Sequence, residues 1–205
     1  MGLKDYFSRD EDRRARFIFD LIAPFYGLID RALVEHYRDT AAVLDGVIPL
    51  KDLAVLDVGT GTGGWLAALA AYPLRQATGI DMSGRMVRQA EKRHPGLTFL
   101  EGDGKKMQSF RDGEYDLVTC SFVMHGMKQE ARERMLEEMF RVASLAVVVH
   151  DFHDPLPWAT RLLENMERSD YKHFLENFTA ELSAVAARFR VVRVDRGNAL
   201  YIGWK

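Results

Sequence analysis

One short stretch constrains the fold more than any other part of the sequence. Residues 53–58 are largely apolar and of strand length, which predicts a buried strand. Gly59, Gly61 and Gly63 follow at alternate positions, and residues 65–72 have the composition of a helix. Glycines let a backbone approach a ligand closely, and a helix N-terminus offers oriented N–H donors. The stretch therefore predicts a strand, a tight turn and a helix, with a ligand at the turn.

An acidic residue two positions before the first glycine bears on the kind of ligand. Gly59, Gly61 and Gly64 fit the G-x-G-x-x-G pattern of dinucleotide-binding turns. A dinucleotide places its pyrophosphate at such a turn, where the Asp57 carboxylate would repel it. S-adenosylmethionine (SAM) has no phosphate and carries a sulfonium and an α-ammonium, so the same carboxylate would attract it. The acid and the glycines together favour SAM over a nicotinamide dinucleotide.

The rest of the sequence predicts alternating strands and helices. The unbroken apolar run at 145–149 is typical of a central parallel strand buried on both faces. The short link 195–198 makes the last two strands antiparallel. The predicted strands are 53–58, 76–81, 97–100, 115–121, 145–149, 189–194 and 199–204. The predicted helices after the first one are 84–93, 129–143, 158–178 and, with Thr179 as its N-cap, 179–187.

With these elements the chain resembles the class I SAM-dependent methyltransferases, in the broad group that includes the ubiquinone and menaquinone biosynthesis C-methyltransferases. The resemblance implies an α/β fold: a Rossmann-like, doubly wound, seven-stranded sheet, mostly parallel, with an antiparallel C-terminal strand. It implies a single domain over residues 1–205, with a helical N-terminal cover at 1–48 and the core at 49–205. It also implies methyl transfer from SAM by in-line displacement, with S-adenosylhomocysteine as the product. An NAD(P)-dependent oxidoreductase and a non-catalytic SAM-binding module are the alternatives.

The resemblance assigns a set of cofactor-binding residues to the bend and to the ends of the later strands. Asp81 lies 18 residues beyond Gly63, close to the spacing of about 20 at which an acid meets a ribose. The other interpretation of Asp81 is an N-cap, for which Ser83 would serve equally well. The full predicted set is Asp57, Gly59, Thr60, Gly61, Thr62, Gly63, Asp81, Met82, Asp103, Gly104, Ser121 and Phe122.

Asp103 and Gly104 follow the third strand, where the family contacts adenine. An Asp-Gly pair is also common in plain turns, and that interpretation stays open. Ser121 matches the family position whose backbone lines the methionine moiety. After it the chain has His125 and Gly126 where many quinone methyltransferases have arginine and asparagine. The difference argues against the same substrate.

Three positions are predicted to contact the substrate: Tyr26, His125 and Tyr171. Residues 1–45 have helical periodicity, and Pro24 should kink or split that helix near Ala23. The stretch around Tyr26 resembles the segment that packs over cofactor and substrate in the quinone methyltransferases. Its aromatic residues motivate a small, fairly apolar substrate, although an aromatic stripe that only joins the core would look the same.

Three histidines are candidate catalytic bases, because histidine titrates near neutral pH: His125, His150 and His153. The last two belong to the run His-Asp-Phe-His-Asp-Pro, which is predicted to leave the fifth strand as a loop. Two histidines beside two acids also raise the idea of a metal site, but no further ligands are evident in the sequence. No metal is therefore predicted.

Composition narrows the partners. The 205 residues include 28 basic and 30 acidic ones, a net charge of −2, which gives no general attraction to nucleic acid. A single cysteine, Cys120, excludes an intrachain disulfide. No apolar run is long enough for a membrane span, and the charged N-terminus lacks a signal-peptide core. We expect a cytoplasmic protein that acts on a small molecule; the sequence predicts no oligomeric state.

Overall fold

The computed structural model of the chain describes residues 33–153, 170–195 and 197–205. Its helices are α1 (33–45), α2 (Gly64–Leu69), α3 (Gly84–Arg93), α4 (Gln129–Val142) and α5 (Tyr171–Val185). Its strands are β1 (Ala54–Val58), β2 (Gln76–Asp81), β3 (Thr98–Glu101), β4 (Tyr115–Ser121), β5 (Ala143–Phe152), β6 (Arg188–Arg193) and β7 (Asn198–Trp204). A 3₁₀ turn, Met124–Gly126, follows β4.

The seven strands form one sheet in the order β3-β2-β1-β4-β5-β7-β6. The first five pair in parallel, and β7 pairs antiparallel with both β5 and β6. Strand order reverses between β1 and β4, and ligands bind at such switch points in doubly wound sheets. The predicted fold class is confirmed, including the antiparallel strands at the C-terminal end of the chain.

Alternating side chains along the strands separate two cores, one on each face of the sheet. Leu56 and Val147 point toward α4 and α5 and belong to one core. Val55 and Val148 point the other way, toward α1, α2 and α3. The parity of a residue in its strand therefore decides which face of the sheet its side chain serves.

Two local predictions are wrong. The separate helix 179–187 does not exist, because α5 continues through Thr179 and buries Phe174, Phe178 and Leu182 as one stripe. Packing of that stripe outweighs the local preference of threonine for a cap. The strand predicted at 145–149 runs from Ala143 to Phe152, so His150 and Asp151 are strand residues and not loop residues.

The segment before the core is described only from residue 33. Residues 33–45 are helical as predicted, and their buried side chains, such as Tyr37 and Leu44, join the core shared with α2 and α3. Pro24, Tyr26 and the predicted kink lie outside the described residues, as does the predicted helical segment at 158–169. α4 ends at Val142 and β5 begins at Ala143, so no loop separates the helix from the strand.

Candidate functional site

The bend after β1 has three glycines in left-handed backbone conformations. φ is +72° at Gly59, +55° at Gly61 and +85° at Gly63, values that residues with side chains rarely adopt. A Cβ on Gly63 would lie 2.8 Å from the Phe99 ring, and one on Gly59 would lie 2.7 Å from the Val123 side chain. The bend is therefore packed against β3 on one side and against the segment after β4 on the other.

The Asp57 side chain is buried beneath this bend, with only 1% of its surface exposed. Within the described part of the chain, neither of its carboxylate oxygens makes a hydrogen bond, and neither do the buried hydroxyls of Thr60 and Thr62. Burial raises the pKa of Asp57 to about 7, and the negative charge of Asp81 acts in the same direction. The nearby Thr60 hydroxyl opposes this rise, although it does not reach hydrogen-bond geometry with the carboxylate. A buried carboxylate without a hydrogen bond is costly unless a ligand neutralises it.

Asp81, at the end of β2, is hydrogen-bonded to the backbone of the bend. Its Oδ2 accepts the backbone N–H of Gly61 at 2.8 Å, and its Oδ1 accepts the N–H of Ser83 at 2.8 Å. The N-cap of α3 is Ser83, whose Oγ accepts the N–H of Met86 at 3.2 Å. Asp81 is therefore not needed as the cap, and Met82 lies half-buried beside it. A carboxylate with two accepted bonds still has lone pairs for ribose hydroxyls.

Asp103 and Gly104 follow β3 and lie near the end of β1. The Asp103 Oδ1 accepts the N–H of Lys105 at 2.9 Å and lies 3.0 Å from its Nζ, which is the pattern of a turn residue. A Cβ on Gly104 would collide with the Val58 side chain, so this glycine is needed for close approach to β1. These contacts explain the local sequence, and adenine binding here stays a prediction.

Ser121 and Phe122 end β4 at the other side of the bend. Phe122 has φ +54°, an uncommon value for an aromatic residue, and its N–H donates to the His150 carbonyl at 2.9 Å. The Ser121 Oγ lies 2.9 Å from His150 Nδ1. The other ring nitrogen of His150, Nε2, lies 3.1 Å from Nε2 of His36 on α1. Burial lowers the pKa of His150 to about 3, and the proximity of His36 acts in the same direction, so this ring is neutral.

His125 lies in the 3₁₀ turn after β4 and is held by the next strand. Its Nδ1 is 2.7 Å from Oδ1 of Asp151, and its backbone N–H donates to Oδ2 of the same residue at 3.2 Å. Asp151 is fully buried and the His125 side chain is 13% exposed. The centroid of the Phe152 ring lies 4.6 Å from that of the imidazole and 6.1 Å from that of the Tyr171 ring, which it meets edge-on. The structure thus brings together two of the three predicted substrate residues, His125 and Tyr171, around Phe152.

The third candidate base, His153, is separate from this group. Its Nδ1 lies 3.1 Å from the Tyr201 hydroxyl, which donates to the Phe152 carbonyl at 2.8 Å. His150 and His153 therefore have different partners and do not converge. Among the described residues, no three His, Cys, Asp or Glu side chains are grouped closely enough to hold a metal ion.

Sequence reasoning missed three groups that shape the site. It noted Asp151 only as a neighbour of two histidines, and it missed His36, because both meet their partners through the fold rather than along the chain. It also did not single out Arg132 in the predicted helix 129–143; this side chain is fully buried and bonds Glu181 through Nε at 2.8 Å and Nη2 at 2.6 Å. The same guanidinium donates to Asp170 at 3.1 Å. This cluster fixes the start of α5, where Tyr171 lies; only the spacing of Arg132 with Leu136 and Met139 could have indicated burial.

These elements define the fold. A parallel sheet with an acid-flanked glycine bend after β1, a second acid at the end of β2 and an antiparallel strand pair at the far edge is the fold of class I SAM-dependent methyltransferases. Residues 55–144 match the family model described as a methyltransferase domain. The resemblance inferred from the sequence is thereby confirmed.

Two relatives and one solved structure to which this chain is similar are also named as methyltransferases. The demethylmenaquinone methyltransferase of Chlorobaculum tepidum is 32% identical over 133 residues, which cover 62% of this chain and 54% of that protein. The demethylmenaquinone methyltransferase of a Roseiflexus species is 32% identical over 148 residues, which cover 67% of this chain and 60% of that protein. Magnesium protoporphyrin IX methyltransferase of Synechocystis PCC 6803, solved with bound S-adenosylhomocysteine, superimposes with a TM-score of 0.63 at 20% identity. That alignment covers 84% of this chain and 83% of the other.

The match to the curated relatives is partial. This chain spans little more than half the length of the Chlorobaculum protein and about three-fifths of the Roseiflexus one. Within the described residues, no helix is both long and apolar enough to cross a membrane.

Proposed function

We propose that the chain transfers a methyl group from SAM to a small, largely apolar acceptor. The observation that carries this proposal is Asp57: a buried carboxylate under a glycine bend, with both oxygens lacking a hydrogen bond. Such a site disfavours a pyrophosphate and suits a compact cationic ligand. The residues present therefore fit SAM, which supplies a methyl group on a positively charged sulfur.

Each part of the cofactor has a counterpart among the residues of the site. Asp57 would face the positive charge of the methionine portion, and Asp81 would accept the ribose hydroxyls. Asp103 and the Gly104 backbone would contact the adenine. Ser121 and Phe122, at the end of β4, would line the methionine portion. The role of this chain is mainly to align acceptor and methyl group, because a sulfonium is already a good leaving group.

Aromatic side chains support an acceptor that is flat and apolar. Phe122 and Phe152 lie 5.3 Å apart between ring centroids, and Phe152 also contacts His125 and Tyr171. Rings stack favourably on flat apolar molecules. The relatives' names, which refer to demethylmenaquinone, agree with such an acceptor.

Titration calorimetry with SAM, S-adenosylhomocysteine and NADH tests the cofactor. We expect the two sulfur nucleosides to bind and NADH not to bind. Asp81→Ala should weaken SAM binding by roughly 1.5–3 kcal/mol, the scale of hydrogen bonds to a charged group. The matched control is Asp112→Ala, which removes an acid that is 80% exposed and should leave SAM affinity unchanged.

Two results would count against the assignment. Unchanged SAM affinity in an Asp81→Ala variant that melts cooperatively would refute the ribose role. NADH binding together with no SAM binding would refute the proposed function and favour an oxidoreductase.

A further inference from the structure

The last residues of β5 point alternately to opposite faces of the sheet, and this separates two histidine sites. His150 has the parity of Val148 and points toward α1, where it lies between Ser121 and His36. Asp151 has the parity of Val149 and points toward α4 and α5. Because β4 and β5 are parallel neighbours, the turn after β4 places His125 directly over Asp151.

The Asp151 carboxylate is anchored by three N–H groups. These come from His125 Nδ1 at 2.7 Å, His125 N at 3.2 Å and Phe152 N at 2.8 Å. An ionised carboxylate only accepts hydrogen bonds, so the His125 proton lies on Nδ1. In neutral His125 the basic lone pair therefore lies on Nε2. Histidines that are oriented by a buried acid in this way act as general bases in several enzyme classes.

The position of His125 relative to the bend fits a role in transfer. Val123, two residues before it, packs against Gly59 of the bend, since a Cβ on Gly59 would reach within 2.7 Å of the Val123 side chain. The centroid of the Phe152 ring lies 4.6 Å from that of the imidazole and 5.3 Å from that of the Phe122 ring. The imidazole therefore contacts an aromatic side chain proposed to receive the acceptor, and the short segment that carries it packs against the predicted cofactor bend.

The other two histidines are less suited to proton transfer. Both ring nitrogens of His150 already face protein partners, and the ring is fully buried. The His153 Nδ1 faces the Tyr201 hydroxyl, and its backbone N–H donates to the Gly197 carbonyl just beyond the last β5–β7 pair.

We propose that His125 is the catalytic base of the methyl transfer and that Asp151 is its positioning residue; this rests on the proposed function. The acceptor is a flat aromatic molecule whose hydroxyl or ring carbon must lose a proton. Nε2 of His125 takes that proton as the bond between acceptor and methyl carbon forms. The carbon–sulfur bond breaks in the same step, and its electron pair stays on sulfur. The imidazolium that results is stabilised by the Asp151 carboxylate.

The test measures methyl transfer from isotopically labelled SAM to 1,4-naphthohydroquinone and 2-naphthol under anaerobic conditions. His125→Gln keeps a donor for Asp151 but has no base, so kcat should fall by about 10²–10⁴-fold. His125→Gly should regain activity when imidazole is added. Asp112→Ala, at an acid that is 80% exposed, is the control and should keep full activity. SAM affinity is measured for every variant and should not change.

Asp151→Asn tests the positioning role. The asparagine can donate to Nδ1 and so favours the wrong tautomer, which should lower kcat without weakening SAM binding. Added to His125→Gln, the same change should lower kcat no further, because two residues that act as a unit are not additive. A purely structural role for Asp151 would instead give an additional loss in the double variant.

Each result decides. A His125→Gln variant that keeps its activity within about threefold overturns the proposal, as does a His125→Gly variant that imidazole does not rescue. A wild-type protein that binds SAM but methylates neither probe also overturns it, while the proposed cofactor stands. A protein that does not bind SAM overturns the proposed function itself, which calorimetry shows before any transfer is measured.

Discussion

Asp57→Asn should stabilise the ligand-free protein at high pH while it weakens SAM binding. The wild-type carboxylate is buried beneath the glycine bend without a hydrogen bond to either oxygen. Folding with this group ionised therefore places an uncompensated charge in the interior. Asparagine has nearly the same shape and no charge, so the variant removes that cost and also removes the attraction for a cationic ligand.

The size of the effect follows from the pKa of Asp57. It is about 7 in the folded protein, against 3.8 for the unperturbed group, mainly because of burial. Between these two values the unfolded chain has released a proton that the native protein still holds. Stability therefore falls as pH rises, by about 1.36 kcal/mol per unit, and levels off above about pH 7. From about pH 5 to pH 9 this amounts to about 2.7 kcal/mol.

Urea unfolding of both proteins between about pH 5 and pH 9 measures this quantity. The difference in unfolding free energy, variant minus wild type, should grow by about 2.7 kcal/mol across the range, since other titrating groups cancel. In parallel, calorimetry should show SAM affinity reduced roughly 10- to 150-fold in the variant. Wild-type affinity for SAM should rise as pH increases through about 7, and the variant should lose that dependence.

Asp116→Asn is a control of opposite sign. Its carboxylate accepts bonds from Arg75, the Ala54 backbone and Ser144, and these partners outweigh the effect of burial and hold its pKa below the usual value. Its contribution to stability is present above the unfolded pKa and is lost as pH falls, so the variant should be less stable than wild type at pH 7.

A pH-independent difference for Asp57→Asn, or unchanged SAM affinity, would refute the argument that an ionised, uncompensated Asp57 forms the cation site.

Two further predictions concern the supports of the site. Gly63→Ala should lose more than about 1–2 kcal/mol in urea unfolding and bind SAM less tightly, because Gly63 has φ +85° and a Cβ there would overlap Phe99; Gly96→Ala, with nothing within 4 Å, should be nearly neutral by the same assays. Arg132→Met should cost about 3–5 kcal/mol, because it leaves Glu181 buried without its cation, and Arg132→Met combined with Glu181→Leu should recover most of that loss. Equal stability of the single and double variants would contradict the explanation.

The fold could be predicted from local patterns because its strands are short apolar runs separated by strong turn signals. Glycines at alternate positions indicated the bend, and the short link 195–198 indicated the antiparallel pair. Local signals failed where packing outweighed them. Thr179 has the chemistry of an N-cap, yet α5 passes through it because Phe174 and Phe178 stack at 4.6 Å and bury the same helical face.

The site was less predictable than the fold, because its decisive contacts join residues distant in sequence. His125 and Asp151 are 26 residues apart, and His36 and His150 are 114 apart. No periodicity in either segment specifies such a pair; it follows from which strands become neighbours. What the sequence could supply was the set of candidate histidines, and strand pairing supplied their separate environments.

Those environments depend on a single parity relation in β5. His150 and Asp151 are consecutive, yet one side chain lies against α1 and the other against the turn that carries His125, because strand side chains alternate. A shift of one residue in the β4–β5 register, now fixed by Ser121 opposite His150, would exchange the two faces. The histidine would then point toward α4 and α5, and the acid would replace it between Ser121 and His36. The same alternation places Asp57 on the face of Val55, opposite to the face on which Asp151 lies. The predicted cofactor site and the proposed base are therefore specified together by how β1, β4 and β5 align.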